Sequence, residues 1–173
     1  MTDDGGQSEV VRTPRPSSNI RHLSSDRQRA AVVAEARSWI GTPYHSCADV
    51  KGAGVDCGML LVRVFIDTGL IPPFDPRPYP IDWHMHRDEE RYLGFVFDRG
   101  FGEVEAPQPG DIMVLRYGRC YSHGGVVSRA KPVTIIHAFH PARRVLEEEL
   151  ALNTALNDPT RKRRFFSYWA KRQ

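Results

Sequence analysis

Cys57, His123 and His137 are the side chains of this chain whose types and spacing could carry out nucleophilic chemistry. Cys57 closes a glycine-containing loop, Gly54-Val55-Asp56-Cys57-Gly58, and an apolar run follows at once, Met59-Leu60-Leu61-Val62-Arg63-Val64-Phe65. Apolar residues at 60, 61, 64 and 65 fit the buried face of a helix, with Gly69 after Thr68 as its stop. Cys57 then sits in the first helical turn. Unpaired backbone N–H groups and the positive end of the helix dipole there favour a thiolate over a thiol. The same N–H groups are donors for an oxyanion. Taken alone, Cys57 also fits a small buried hydrophobe.

A cysteine nucleophile needs a base within hydrogen-bond reach, and the base needs a group behind it. Ser122-His123-Gly124-Gly125-Val126-Val127 and Ile135-Ile136-His137-Ala138 lie on two successive strands joined by a turn at Lys131-Pro132. Neighbouring strands of a meander put residues side by side, so histidines at 123 and 137 can pair across that turn. His123 is the candidate base and His137 the polar group behind it. His140 falls on the opposite face if the strand continues, which makes it the weaker candidate. Tyr44, in the loop Thr42-Pro43-Tyr44, is either a packed aromatic or a phenol that donates to an oxyanion beside Cys57.

The elements that must position these groups form a simple series. The chain has 173 residues, 40% hydrophobic and 26% charged, enough for one domain with a real core. Residues 1–23 lack periodicity and read as a flexible arm; 24–173 read as a single domain. Ser24-Ser25-Asp26 cap a helix of about 15 residues with Ala30, Val33, Ala34, Ala36 or Arg37, and Ile40 as its stripe, ending at Gly41. Residues 45–55 read as a polar loop. Five prolines between 72 and 80 forbid regular backbone pairing. A second helical stretch starts near His84, and strands follow at 111–117, 120–128 and 133–139, with one more at 142–146. Helices first and an antiparallel meander after make an α+β domain, the helices packed on a small sheet.

Charge and cysteine usage exclude several classes. Net charge is +3, from 24 basic and 21 acidic residues, too balanced to argue for nucleic acid. The dense basic run, Arg161-Lys162-Arg163-Arg164, reads as a solvated C-terminal tail. Three cysteines (47, 57 and 120) are too few for a disulfide framework. The first 25 residues hold no apolar core of a signal peptide, and no stretch of eighteen apolar residues occurs. His84 and His86, two apart, diverge and are poor metal ligands.

Five separated motifs, Gly41-Thr42-Pro43-Tyr44, Asp56-Cys57-Gly58, Gln108-Pro109-Gly110-Asp111-Ile112, Ser122-His123-Gly124-Gly125-Val126-Val127 and Ile136-His137-Ala138, together resemble the NlpC/P60 cysteine peptidases. The resemblance runs in order from about residue 30 to 140. It implies a papain-like α+β fold with Cys57 as nucleophile, His123 as base, His137 as third polar residue and Tyr44 beside the oxyanion. It also implies hydrolysis of peptidoglycan stem peptides, often between D-glutamate and a diamino acid, without metal or cofactor. Gly58-Met59 and His-Gly-Gly depart from the commoner Cys-Ser and His-Val-Gly of the family.

Three stretches are similar to phage-tail members: 82–87, Pro141-Ala142-Arg143-Arg144-Val145 and Arg164-Phe165-Phe166-Ser167-Tyr168-Trp169. That likeness implies synthesis in a host cytoplasm, partners among tail-tip proteins, and action at the periplasm or cell wall. Two rivals stand beside the enzyme: a zinc site from Cys47, Cys57, Cys120 and His123, and a structural tail-tip protein with a vestigial site.

Overall fold

The computed structural model describes residues 20–79 and 90–170. Three helices, α1 (Ser25–Arg37), α2 (Cys57–Asp67) and α3 (Arg91–Asp98), pack on one face of an antiparallel sheet. In chain order its strands are β3 (Gly102–Val104), β4 (Ile112–Tyr117), β5 (Cys120–Ala130), β6 (Val133–Phe139), β7 (Arg144–Glu149) and β8 (Arg163–Ser167). Their spatial order is β3-β8-β4-β5-β6-β7. This is the α+β architecture that the motif order predicts.

Alternation along the strands divides the core in two. Ile112, Val114, Val126, Ile136 and Phe166 face the helices, where Leu60, Leu61, Val64 and Phe65 of α2 meet them. Met113, Leu115, Val127, Ile135 and Phe139 point the other way and are covered by Leu150 and Leu156. The sheet is therefore buried on both faces, and the meander reads as nearly unbroken apolar runs.

α1 buries Gln28, Val32, Val33 and Ala36, with Trp39 following at 2% exposure, whereas Ala30, Ala34 and Ile40 of the expected stripe lie outside. Val32 and Trp39 take the core face in place of Ala30 and Ala34, each removing more apolar area from water than alanine does. Gln28 is held there by donating to the carbonyls of Ile20 and Arg21 and accepting from Trp169 Nε1. The helix ends at Arg37, and its Ser24 cap makes no side-chain hydrogen bond.

Three further differences concern elements that the sequence hides. The loop expected at 45–55 carries a two-stranded hairpin, β1 (Asp49–Val50) and β2 (Gly54–Val55). The last strand of the meander reaches Glu149 rather than 146. The basic run is not a free tail: β8 lies inside the sheet between β3 and β4, and Arg164 grips the Glu103 carboxylate through two nitrogens at 2.7 and 2.6 Å. Residues 1–19, His84 and His86 lie outside the described residues.

Candidate active site

Asp56 starts the site. Its backbone is extended at the N-cap of α2, and Oδ1 accepts the Met59 N–H at 2.8 Å. Oδ2 accepts the Cys47 N–H and the Tyr79 hydroxyl, both at 2.7 Å. One carboxylate, 4% exposed, thus ties the helix start to the loop before it and to the proline-rich segment after it. Replacing Asp56 with Ala removes the cap, worth about 1 kcal/mol, and takes the carboxylate away from the Cys47 N–H and the Tyr79 hydroxyl, at about 1–3 kcal/mol in all. Melting of Asp56→Ala is expected to fall by about 5–15 °C, with Asp56→Asn, which keeps the cap, losing less.

Cys57 is the first residue of α2 and is 8% exposed. Its thiol points at the Ser122 carbonyl, 3.7 Å away. The Gly124 N–H also acts on the sulfur, together with the N–H groups of Cys57 and Gly58. The nucleophile candidate therefore lies against the strand backbone on both sides of His123. Tyr92 of α3 closes the site from the side, its hydroxyl 3.4 Å from the Cys57 carbonyl.

Those N–H groups pull the thiol pKa down, as a helix N-terminus should, but burial outweighs them. Desolvation, followed by the Asp56 carboxylate, pushes the Cys57 thiol up to about 12. This corrects the expectation of a resting thiolate: helix position is a local property, whereas desolvation comes from α3 and β5 folding over the sulfur. Only the thiolate reacts with alkylating agents. Alkylation of Cys57 by iodoacetamide, mapped by mass spectrometry apart from Cys47 and Cys120, is expected to rise about tenfold per pH unit from 7 to 10. A plateau between pH 5 and 8 would contradict a protonated resting thiol.

His123, 8% exposed, and His137, fully buried, are brought together as expected, His123 Nε2 lying 2.8 Å from His137 Nδ1. Extending the β5–β6 register from Val126↔Ile136 by one step sets Gly125, not His123, opposite His137, so the two rings meet diagonally across a residue without a side chain. Burial, then the neighbouring His137 ring and the Arg161 charge, holds His123 well below the ordinary imidazole value. At neutral pH the site rests as a thiol beside a neutral imidazole.

Behind His137 stands a residue absent from the sequence-derived set. Glu148 Oε1 is 2.9 Å from His137 Nε2 and also accepts the Asn153 amide N–H at 2.6 Å. Its bond to His137 is the main reason its pKa lies below the usual carboxylate value. The acidic run Glu147-Glu148-Glu149 resembles a solvated edge; pairing with β6, which sets Leu146 opposite His137 and Glu148 opposite Ile135, puts Glu148 on the face of the sheet that carries His137.

Tyr44 is set by pairing on both sides: its N–H donates to the Arg143 carbonyl at 2.9 Å, and it bridges to Val55. Burial and then the Cys57 charge raise its phenol pKa. His140 packs edge-on against the Tyr44 ring, centroids 5.1 Å apart, and takes no part in the histidine pair. No disulfide links the three cysteines, and among the described residues no three His, Cys, Asp or Glu side chains form a metal-holding group. An apolar pocket of about 60 Å³ runs along α2 from Gly58 past Leu61 to Phe65, between Tyr79 and Tyr92.

Solved structures share this fold. The NlpC/P60 domain of the peptidoglycan hydrolase SagA is similar at a TM-score of 0.50 and 18% identity, covering 79% of this chain and 96% of that one. An N-acetylmuramoyl-L-alanine amidase from Bacteroides uniformis ATCC 8492 is similar at 0.55 and 13%, over 81% and 98%. NlpC1 from Trichomonas vaginalis is similar at 0.60 and 14%, over 90% of this chain and 49% of that one. The chain has the fold of NlpC/P60 domains. No protein-family model matches it, and neither does any curated protein.

Proposed function

We propose that this protein is a cysteine peptidase of NlpC/P60 type that hydrolyses peptidoglycan stem peptides at the bond between D-glutamate and the diamino acid. The observation that carries the reading is the Cys57 sulfur at a helix N-terminus, held against the backbone on both sides of His123, whose ring pairs with His137. The names of the structural neighbours, a peptidoglycan hydrolase and an N-acetylmuramoyl-L-alanine amidase, support the same substrate class.

The chemistry follows from the resting neutral pair. As the sulfur attacks the amide carbonyl, its proton passes to His123, and the oxyanion forms near the Cys57 N–H and the Tyr44 hydroxyl. Protonated His123 then gives that proton to the leaving amine, which departs with the C–N bond, leaving a thioester on Cys57. Water, deprotonated by His123, attacks the thioester, and the thiol is restored with release of the acid.

On this reading the protein works on a phage or phage-like tail tip, built in a host cytoplasm and delivered to the periplasm or wall. Support for that setting is the likeness of 141–145 and 164–169 to tail proteins; here those residues form a 3-10 turn leading into β7, and β8 with its exit. Its partners are then tail-tip proteins. Among the described residues no helix is long and apolar enough to cross a membrane. Digestion of muropeptides with intact stem peptides, with products weighed by mass spectrometry, tests the bond. Free diamino-acid peptides are expected; release of the whole stem from the sugar would replace this assignment with an amidase, and intact substrate would overturn hydrolysis.

A further inference from the structure

We propose that Glu148 is a positioning residue that fixes which nitrogen of His123 is free to act as base, through a one-way chain of hydrogen bonds anchored on the backbone N–H of Leu156. The proposal rests on the reading of Cys57 and His123 as nucleophile and base.

With both imidazoles neutral, the direction of each bond in this chain follows from the one behind it. A backbone N–H can only donate, and that of Leu156 donates to Asn153 Oδ1 at 3.1 Å. The other end of that amide, Nδ2, is therefore its donor end, and it meets Glu148 Oε1 at 2.6 Å. An oxygen that accepts from Asn153 and bears no proton can only accept from its second neighbour. That neighbour is His137 Nε2, 2.9 Å away, so His137 carries its proton on Nε2. In a neutral imidazole the other nitrogen is then an acceptor. His137 Nδ1 lies 2.8 Å from His123 Nε2, which must supply the hydrogen. With its proton on Nε2, neutral His123 has its lone pair on Nδ1, the nitrogen left to take the thiol proton.

His137 is fully buried and stacks on Phe139, ring centroids 5.1 Å apart, and His123 faces Phe139 at 5.8 Å. Glu148 from β7 bears on His137, and the Arg161 charge before β8 bears on His123. When His123 becomes an imidazolium during turnover, Glu148 is thus the negative charge that balances it through His137, a role separate from orienting the tautomer.

Two variants separate these roles. Glu148→Gln keeps an oxygen where Asn153 and His137 both donate, and removes the charge. Glu148→Ala removes the acceptor. Long-range proton–nitrogen NMR of 15N-histidine-labelled protein, with His123→Gln and His137→Gln for assignment, reads the tautomers directly. The expected result is protons on Nε2 of both histidines in wild type and in Glu148→Gln, and a mixture including Nδ1–H forms in Glu148→Ala. On stem peptides, kcat is expected to fall about 10–100-fold in Glu148→Ala, the scale seen when the carboxylate behind a metal-bound histidine is removed, with KM changed less than about twofold and Glu148→Gln between the two. Wild-type His123 protonated on Nδ1, or Glu148→Ala with wild-type tautomers, would overturn the proposal. The NMR result stands whether or not stem peptides are cleaved, so a failed hydrolase assignment and a failed relay give different outcomes.

Discussion

A His123→Ala variant is expected to fold and to lose peptide hydrolysis by about four to six orders of magnitude in kcat, the scale seen when one member of a nucleophile–base pair is removed. The expectation follows from the resting state of the site. Burial keeps the Cys57 proton on sulfur, pushing the thiol up to about 12, so the free sulfur is a poor nucleophile at neutral pH without a partner to take that proton. His123 is the imidazole whose backbone flanks the sulfur, and its own low basicity means that it receives the proton only as attack proceeds. The loss should fall on kcat with KM little changed, because the imidazole is needed for proton transfer rather than for holding the substrate. Circular dichroism and steady-state kinetics on stem peptides check both halves. A variant retaining more than about a tenth of wild-type kcat would remove His123 from the mechanism.

Gly125→Ala is expected to damage stability and activity together. A Cβ on Gly125 would lie 2.9 Å from the His137 Cβ and 2.9 Å from the Ile136 carbonyl oxygen. Neither neighbour is the free end of a flexible side chain, so the β5–β6 ladder must give. Overpacking of this kind costs about 1–3 kcal/mol. The displaced residue is His137, so the pairing with His123 is lost as well, and activity should drop at least about tenfold by analogy with other outer-shell losses. Gly94→Ala on α3 is the control: among the described residues no atom outside its own helix backbone and chain neighbours lies within 4 Å of the added methyl, and removing a helical glycine should stabilise by about 0.5–1 kcal/mol. Denaturant midpoints of the two variants should therefore move in opposite directions.

Much of this site can be read from local sequence. A glycine-rich loop running into an apolar helix places Cys57, and two strands either side of Lys131-Pro132 place His123 and His137, because both are short-range patterns with a fixed period. Asp56 was missed as the cap of that helix, although an Asp just before an apolar run is a cap signal. What local pattern cannot carry is the environment. Cys57 was expected as a thiolate because the helix start is a sequence property, while the burial that reverses the shift comes from Tyr92 on α3 and the 122–124 backbone, distant in the chain. Glu148 hides in an acidic run whose inward turn is decided by β7 pairing with β6. β8 hides for a related reason: Arg163 and Arg164 look like a tail until Glu103 and the flanking strands β3 and β4 pair with them. The α1 stripe differs because Val32 and Trp39 outbid small alanines for a surface that only the folded sheet defines.

The central question is whether Cys57 breaks a bond in the cell wall. Purified peptidoglycan incubated with wild-type protein and, side by side, with Cys57→Ala, then analysed by mass spectrometry for new peptide termini, measures this directly. New termini made by the wild type and absent with Cys57→Ala are the predicted result. Equal cleavage by both proteins, or none by a folded wild type, would contradict it.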